Sequence, residues 1–290
     1  ERLERSGARQ EVRSLRQQQR SLLDLGDEAS FDYINSVGVL HHLREPEAGL
    51  SSLAGLLAPE GLLHLFLYAD AGRWEIHRTQ KALTLLQAGT GRDGLRLGRN
   101  LFETLPESNR LRCHHERRWA VDCAPDANFA DMYLHPQETS YDLERLFSFI
   151  ETAGLHFAGF SNPEVWDPAR LLRGELLERA QALPAFQQWS LIEQLDPDIS
   201  HFEFFLSKAP LSIRSRTDQE IASARGLRQP CLWGEPDPIL GRNMEPISLS
   251  AAAKDLLRSV DEQPDTPLGS LGAMDLLRDL VDRQILLLRE

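Results

Sequence analysis

The chain has 290 residues, 41% of them hydrophobic and 26% charged, the balance of a folded globular protein and not of a disordered one. A formal net charge of −12 offers no bulk attraction to nucleic acid or an anionic membrane, and three cysteines are too few for a disulfide scaffold. No apolar run approaches the ~20 residues of a membrane-spanning helix, and because three cysteines cannot all pair within one chain, a reduced, cytoplasmic setting is expected.

Residue 1 is Glu and no signal-peptide pattern follows it, so the sequence is expected to begin inside a longer gene product. Residues 1–20 are polar and Arg-rich, with a possible short strand at 10–15. Residues 31–39, FDYINSVGV, form an apolar and β-branched run that reads as a buried strand ending near Gly38. Pro46 then opens a helix with Leu50, Leu53, Leu56 and Leu57 at helical spacing, and Ala58-Pro59-Glu60-Gly61 punctuates its end. Residues 61–68, GLLHLFLY, are a second strand, and strand–helix–strand in this space implies a parallel pair.

Residues 71–89 carry a helical pattern, whereas 90–112 have several Gly and Arg and little periodicity, the signature of a mobile linker or lid. A helix is predicted from Tyr141 to Ala153, with Gly154 as its stop and a third strand at 155–160. Residues 162–195 read as a helical insertion anchored by Trp166 and Trp189, and 201–208, HFEFFLSK, as a fourth strong strand. Residues 209–246 are rich in Pro, Gly and Arg and read as a linker or arm. Residues 247–290 then give helix, loop, helix and a closing strand, a small α or winged-helix-like lobe with faint similarity to those attached to protein-modifying enzymes.

Four stretches taken together, SLLDL (21–25), FDYINSVGVLHHLREPEAGL (31–50), LAGLLAPEGLLHLFLY (53–68) and GRWEI (72–76), resemble class I S-adenosylmethionine-dependent methyltransferases. In that family the strand leading into V-L-H-H-L is the fourth of the sheet, and L-x-P-x-G-L-L leads into the fifth. AGLHFAGF (153–160) and HFEFFLSK (201–208) look like the last two strands, so the resemblance covers about the first 208 residues. It implies an α/β fold. The sheet would be a partial Rossmann-like one over 1–208, with helical insertions near 70–150 and 161–200. It also implies S-adenosylmethionine as cofactor. The family's Gly-rich cofactor loop does not precede residue 21, and GTGRDG (89–94) comes after the fifth strand and reads as a flexible loop. The chain is therefore expected to be an N-terminally truncated methyltransferase, with its activity in isolation open.

By the same resemblance Ser21 and Leu22 lie where the adenine ring is held, and Ser36, Gly38 and Val39 lie at the strand end that faces the cofactor. In open α/β sheets ligands sit beyond the carboxyl ends of the strands. His41 and His42 follow that end directly and are candidate proton acceptors or orienting groups. DMYLHPQETSY (131–141) resembles an element of the substrate pocket, which makes His135 a further catalytic candidate and Asp131 and Tyr141 substrate-binding candidates. Tyr68 and Arg73, after the fifth strand, are placed in the same crevice. The alternative for 136–139 is a turn at Pro136 with Glu138 or Thr139 starting a helix. Cys113, His114, His115, Asp122 and Cys123 have metal-ligating side chains but match no usual zinc spacing, and no metal is assigned. The expected function is methyl transfer to a small-molecule or protein acceptor, the alternative being a non-catalytic protein-interaction module of the same fold. Nucleic-acid and membrane partners are not expected, and oligomeric state is open.

Overall fold

The strand read over 31–39 is formed as β1 (Phe31–Val37) in a computed structural model of the chain, which describes residues 17–25, 30–211, 216–229, 238–240 and 246–289. β1 is not the buried strand expected: it stands at the end of the sheet order with Phe31, Tyr33 and Val37 exposed and only Ser36 buried. The short strand read at 10–15 lies outside the described residues. The helix Pro46–Leu56 starts with proline at its first turn, where the missing N–H costs no hydrogen bond. It buries Leu50, Leu53 and Ala54. The next strand, β2 (Leu57–Ala69), is longer than its apolar core because pairing begins already at Leu57. β1 and β2 run parallel, with Ile34 opposite Leu63 and Ser36 opposite Leu65.

β3 (Ser140–Tyr141) adds a short parallel contact at the end of β2. β4 (His156–Phe160) and β5 (His201–Ser207) complete the sheet in the order β1-β2-β5-β4. β5 is antiparallel to both of its neighbours, with Leu65 opposite Phe204 and Phe157 opposite Leu206. Period-two alternation divides the faces. Leu63, Leu65, Leu67, Phe202, Phe204 and Leu206 are fully buried on one face. The helix Leu143–Thr152 packs there through Leu143, Leu146 and Phe149 and ends at Gly154, whose φ of 63° is the left-handed conformation glycine adopts freely. Trp166 and Trp189 join this core, as the insertion reading expected. On the opposite face His64 links three strands, its Nδ1 donating to Asn35 Oδ1 at 2.6 Å and its Nε2 lying 3.1 Å from Glu203 Oε1.

Residues 90–112 depart from the linker reading. They contain the helices Arg92–Thr104 and Arg110–His114, followed by a π-helical turn, His115–Trp119. The buried face of the first of these is Gly94, Gly98 and Phe102, so its helical period is carried mostly by glycine and escapes a search for apolar residues. Gly98 is needed because a Cβ there would stand 2.7 Å from the Phe129 ring. A Gly98→Val change is expected to destabilise this subcore of Ile76, Leu83, Phe102, Phe129 and Tyr133 by about 1–3 kcal/mol through overpacking, read as a lowered denaturation midpoint. GTGRDG is accordingly not a free loop, since Arg92, Asp93 and Gly94 already belong to the helix.

The chain divides after Leu211. In the second unit the helix Asp218–Ser223 is opened by a reciprocal capping box between Thr217 and Glu220, and β6 (Arg225–Arg228) follows it. β6 pairs antiparallel with the last strand, β9 (Leu286–Arg289), while β7 (Ile239–Leu240) pairs with β8 (Pro246–Ile247). The helices Ala251–Glu262 and Met274–Asp282 contribute Leu256, Leu257, Val260, Leu277 and Leu280 to its core. Residues 218–228, read as linker, thus build the second unit. Ile221 is buried in its core, and a four-residue strand reveals itself only through its distant partner β9. No helix among the described residues is long and apolar enough to cross a membrane.

Candidate functional site

β1 ends in Gly38, whose φ is 71° and around which an added Cβ would meet nothing within 4 Å. Just before it, the Ser36 hydroxyl is buried with no hydrogen-bond partner. Val39 is exposed. The chain then turns through the short 3-10 helix Leu40–His42. Ser21 caps another short turn, Leu22–Asp24, by accepting from Leu23 N–H, and the Leu22 carbonyl accepts from Ser52 at 2.7 Å. Leu22, Leu40 and Leu43 converge around Gly49, so the segment of Ser21 and Leu22 is held beside the segment that follows Gly38.

The two adjacent histidines have different surroundings. His41 is fully buried and stacks on Tyr68 with ring centroids 3.8 Å apart, and neither ring nitrogen makes a hydrogen bond. Burial, with the neighbouring His42 and Arg73 adding to it, lowers its pKa to about 3, so this ring is neutral at physiological pH. His42 faces outward: its Nδ1 donates to the Gln137 carbonyl at 3.1 Å, and its Nε2 lies 3.9 Å from Asp131 Oδ1. The ring of His135 packs against it at 4.0 Å. A backbone bond from Thr139 N–H to the His41 carbonyl, 2.8 Å, ties these two segments together. His41 and His42, Tyr68, and Asp131 and His135, from three separate stretches of the sequence, are therefore neighbours at the carboxyl ends of β1 and β2.

Arg73 reaches the same place from below the surface. Gly72 allows it, because a Cβ there would overlap the Ile199 backbone. The Arg73 guanidinium lies 3.5 Å from the Tyr68 ring centroid and forms a bidentate pair with Glu138, at 2.9 and 2.7 Å. His77 and Gln80 also bond the Glu138 carboxylate, each at 3.2 Å. Burial opposes the charge on Glu138, but His77 and Arg73 outweigh it and hold the carboxyl below the usual carboxylate range. Glu138 therefore anchors Arg73 and does not start a helix; the cap of the helix Leu143–Thr152 is Asp142. Arg73 is a buried support for Tyr68 and not an open crevice residue.

The Tyr141 backbone lies beside the end of β2, but its side chain turns into the core. It is buried in the main core against Phe149, its hydroxyl has no partner, and burial raises its pKa. Glu138, His77 and Gln80 were missed as a group. The available signal was the spacing of Arg73, His77 and Gln80, which puts three polar side chains on one helical face. The Cys–His cluster is not assembled: His115 bonds Tyr133 and stacks on Phe102, His114 lies 3.6 Å from Glu75, and Cys113 donates to the Glu107 carbonyl. His114 ends the helix Arg110–His114 and His115 opens the π-helical turn after it.

The profile of the family described as "Methyltransferase domain" matches residues 2–63. An uncharacterized protein of Synechococcus sp. is 43% identical over 303 aligned residues, covering 99% of this chain and 72% of its own length. The structure of PKMT2 from Rickettsia typhi in complex with AdoHcy superposes with a TM-score of 0.63 at 16% identity, over 99% of this chain. A second PKMT2 structure from the same organism gives 0.58, also at 16% identity and over 99% of this chain. The chain spans 64% and 63% of those two solved chains. The two superpositions show that the chain has a class I methyltransferase fold, in agreement with the domain profile matched at 2–63, and the chain belongs to one family with the uncharacterized Synechococcus protein.

Proposed function

We propose that the protein transfers the methyl group of S-adenosylmethionine to a nitrogen or oxygen nucleophile of a small-molecule or protein acceptor. One observation carries this reading: a buried, unpartnered Ser36 hydroxyl and an open, positive-φ Gly38 end the strand directly beside the His42–Asp131–His135 cluster. These residues fit the cofactor as one wall of its site. Ser36 has an unused hydrogen-bonding group, Gly38 permits close approach of the backbone, and Leu22 supplies an apolar neighbour. The AdoHcy named with the Rickettsia typhi structure supports the same cofactor here. S-adenosylmethionine, when bound, supplies an electrophilic methyl group. The protein's own part is to hold the acceptor in line and exclude water. Asp131, His42 and His135 are the groups that reach the surface to orient the acceptor or receive its proton. His41 is buried and neutral, and its part is to brace Tyr68 and the turn beneath them.

The test is calorimetric titration of S-adenosylmethionine and S-adenosylhomocysteine into the full-length protein and its variants. Gly38→Val should weaken both by at least about tenfold, since a side chain would enter the open space and the left-handed φ resists a β-branched residue. Cofactor binding unaffected by Gly38→Val and Ser36→Val, or no binding by a well-folded full-length protein, would sink the reading.

A further inference from the structure

We propose that His42, Asp131 and His135 form a binding site for a divalent transition-metal ion, with Zn²⁺ the best match to their donors. Each offers one ligand atom, and the three atoms lie within 4.8 Å of one another. Two imidazoles and one carboxylate suit zinc and its neighbours and leave a fourth position open. The spacing around a tetrahedral zinc is about 3.3 Å, from bonds of about 2.0 Å, so the widest pair must close by up to about 1.5 Å. Asp131 is 54% exposed and has room to move.

Local structure prepares the site. Asp131 and His135 are four residues apart at the end of the helix Asp126–Leu134, which presents both on one face. His42 comes from the turn after β1, and the Thr139–His41 backbone bond holds the two segments together. Gln137 orients both rings from its backbone. Its carbonyl takes the His42 Nδ1 proton, which leaves the lone pair on Nε2, the atom facing Asp131. This is how outer groups fix the tautomer of a metal-binding histidine. Its N–H donates to His135 Nδ1 at 3.2 Å, one long bond for a metal to displace if it takes that nitrogen. A shared cation also explains why two histidine rings are packed 4.0 Å apart beside a carboxylate.

The inference deepens the acceptor-site reading, because the open position would receive a lone-pair atom of the acceptor, but its test needs neither cofactor nor acceptor. Zn²⁺ and Co²⁺ are titrated into the untagged, metal-free full-length protein by calorimetry, with Co²⁺ absorption as a second readout of His/carboxylate ligation. One equivalent should bind, at least about tenfold more weakly in His42→Ala, His135→Ala and Asp131→Asn. Circular dichroism confirms that each variant is folded. Cys113→Ser should leave binding unchanged. Absence of stoichiometric binding, binding indifferent to the three variants, or binding lost in Cys113→Ser would each overturn the site. S-adenosylmethionine titrated into the same samples separates the two readings. Cofactor binding without metal binding rejects the metal site alone, and metal binding without cofactor binding rejects the methyltransferase reading alone.

Discussion

Replacing Arg73 with alanine is expected to destabilise the first unit by about 3–5 kcal/mol, because it leaves the Glu138 carboxylate charged and buried without its main partner. The two side chains are only 3% and 6% exposed, and the guanidinium also covers the Tyr68 ring. Glu138→Gln should cost less, since Gln80 and His77 can still hydrogen-bond a neutral amide. Replacing both residues with apolar ones of similar size should recover most of the loss. Urea denaturation followed by tryptophan fluorescence measures this, as Trp74, Trp119, Trp166 and Trp189 all lie in the first unit. Equal losses for the single and the double replacement would contradict a desolvated pair.

The same pair has a pH signature. The folded-state pKa of Glu138 is depressed, so its contribution is fully present above the ordinary glutamate value of about 4.3 and is lost as pH falls through the depressed value. The stability gap between the protein and Glu138→Gln should be widest near neutral pH and close in acid. A gap that widened in acid would reverse the sign argued here.

Phe204→Ala is expected to cost about 3–5 kcal/mol, and its neighbour Phe205→Ala much less. Phe204 is fully buried, stands opposite Leu65 and faces the Phe157 ring. Phe205 points to the other face, half-buried against His64. A one-residue slip of β5 would exchange the two, because side chains alternate along a strand. The comparison of denaturation midpoints therefore tests the register of the sheet as well as its packing. Equal costs would place β5 in another register.

Much of the first unit was legible in the residues themselves. β1, the helix after Pro46, β2 and β5 are local patterns: a β-branched run, leucines at helical spacing, an apolar run and an alternation. Gly38 and Gly154 were legible for the same reason, since a strand end and a helix stop are local demands on φ. The glycine-faced helix Arg92–Thr104 was not, because its periodicity rests on the absence of side chains and makes sense only against Phe129.

The site divides along the same line. Sequence alone singled out His41, His42, Asp131 and His135, by motif and by position at strand ends. Tertiary structure decided their surroundings. It buried His41 and turned His42 toward Asp131. It also joined Arg73 to Glu138 across 65 residues and sent Tyr141 into the core. The physical reason is that a residue's type and spacing specify its own turn or strand, whereas its burial, charge state and partners depend on which distant segment the sheet order brings beside it.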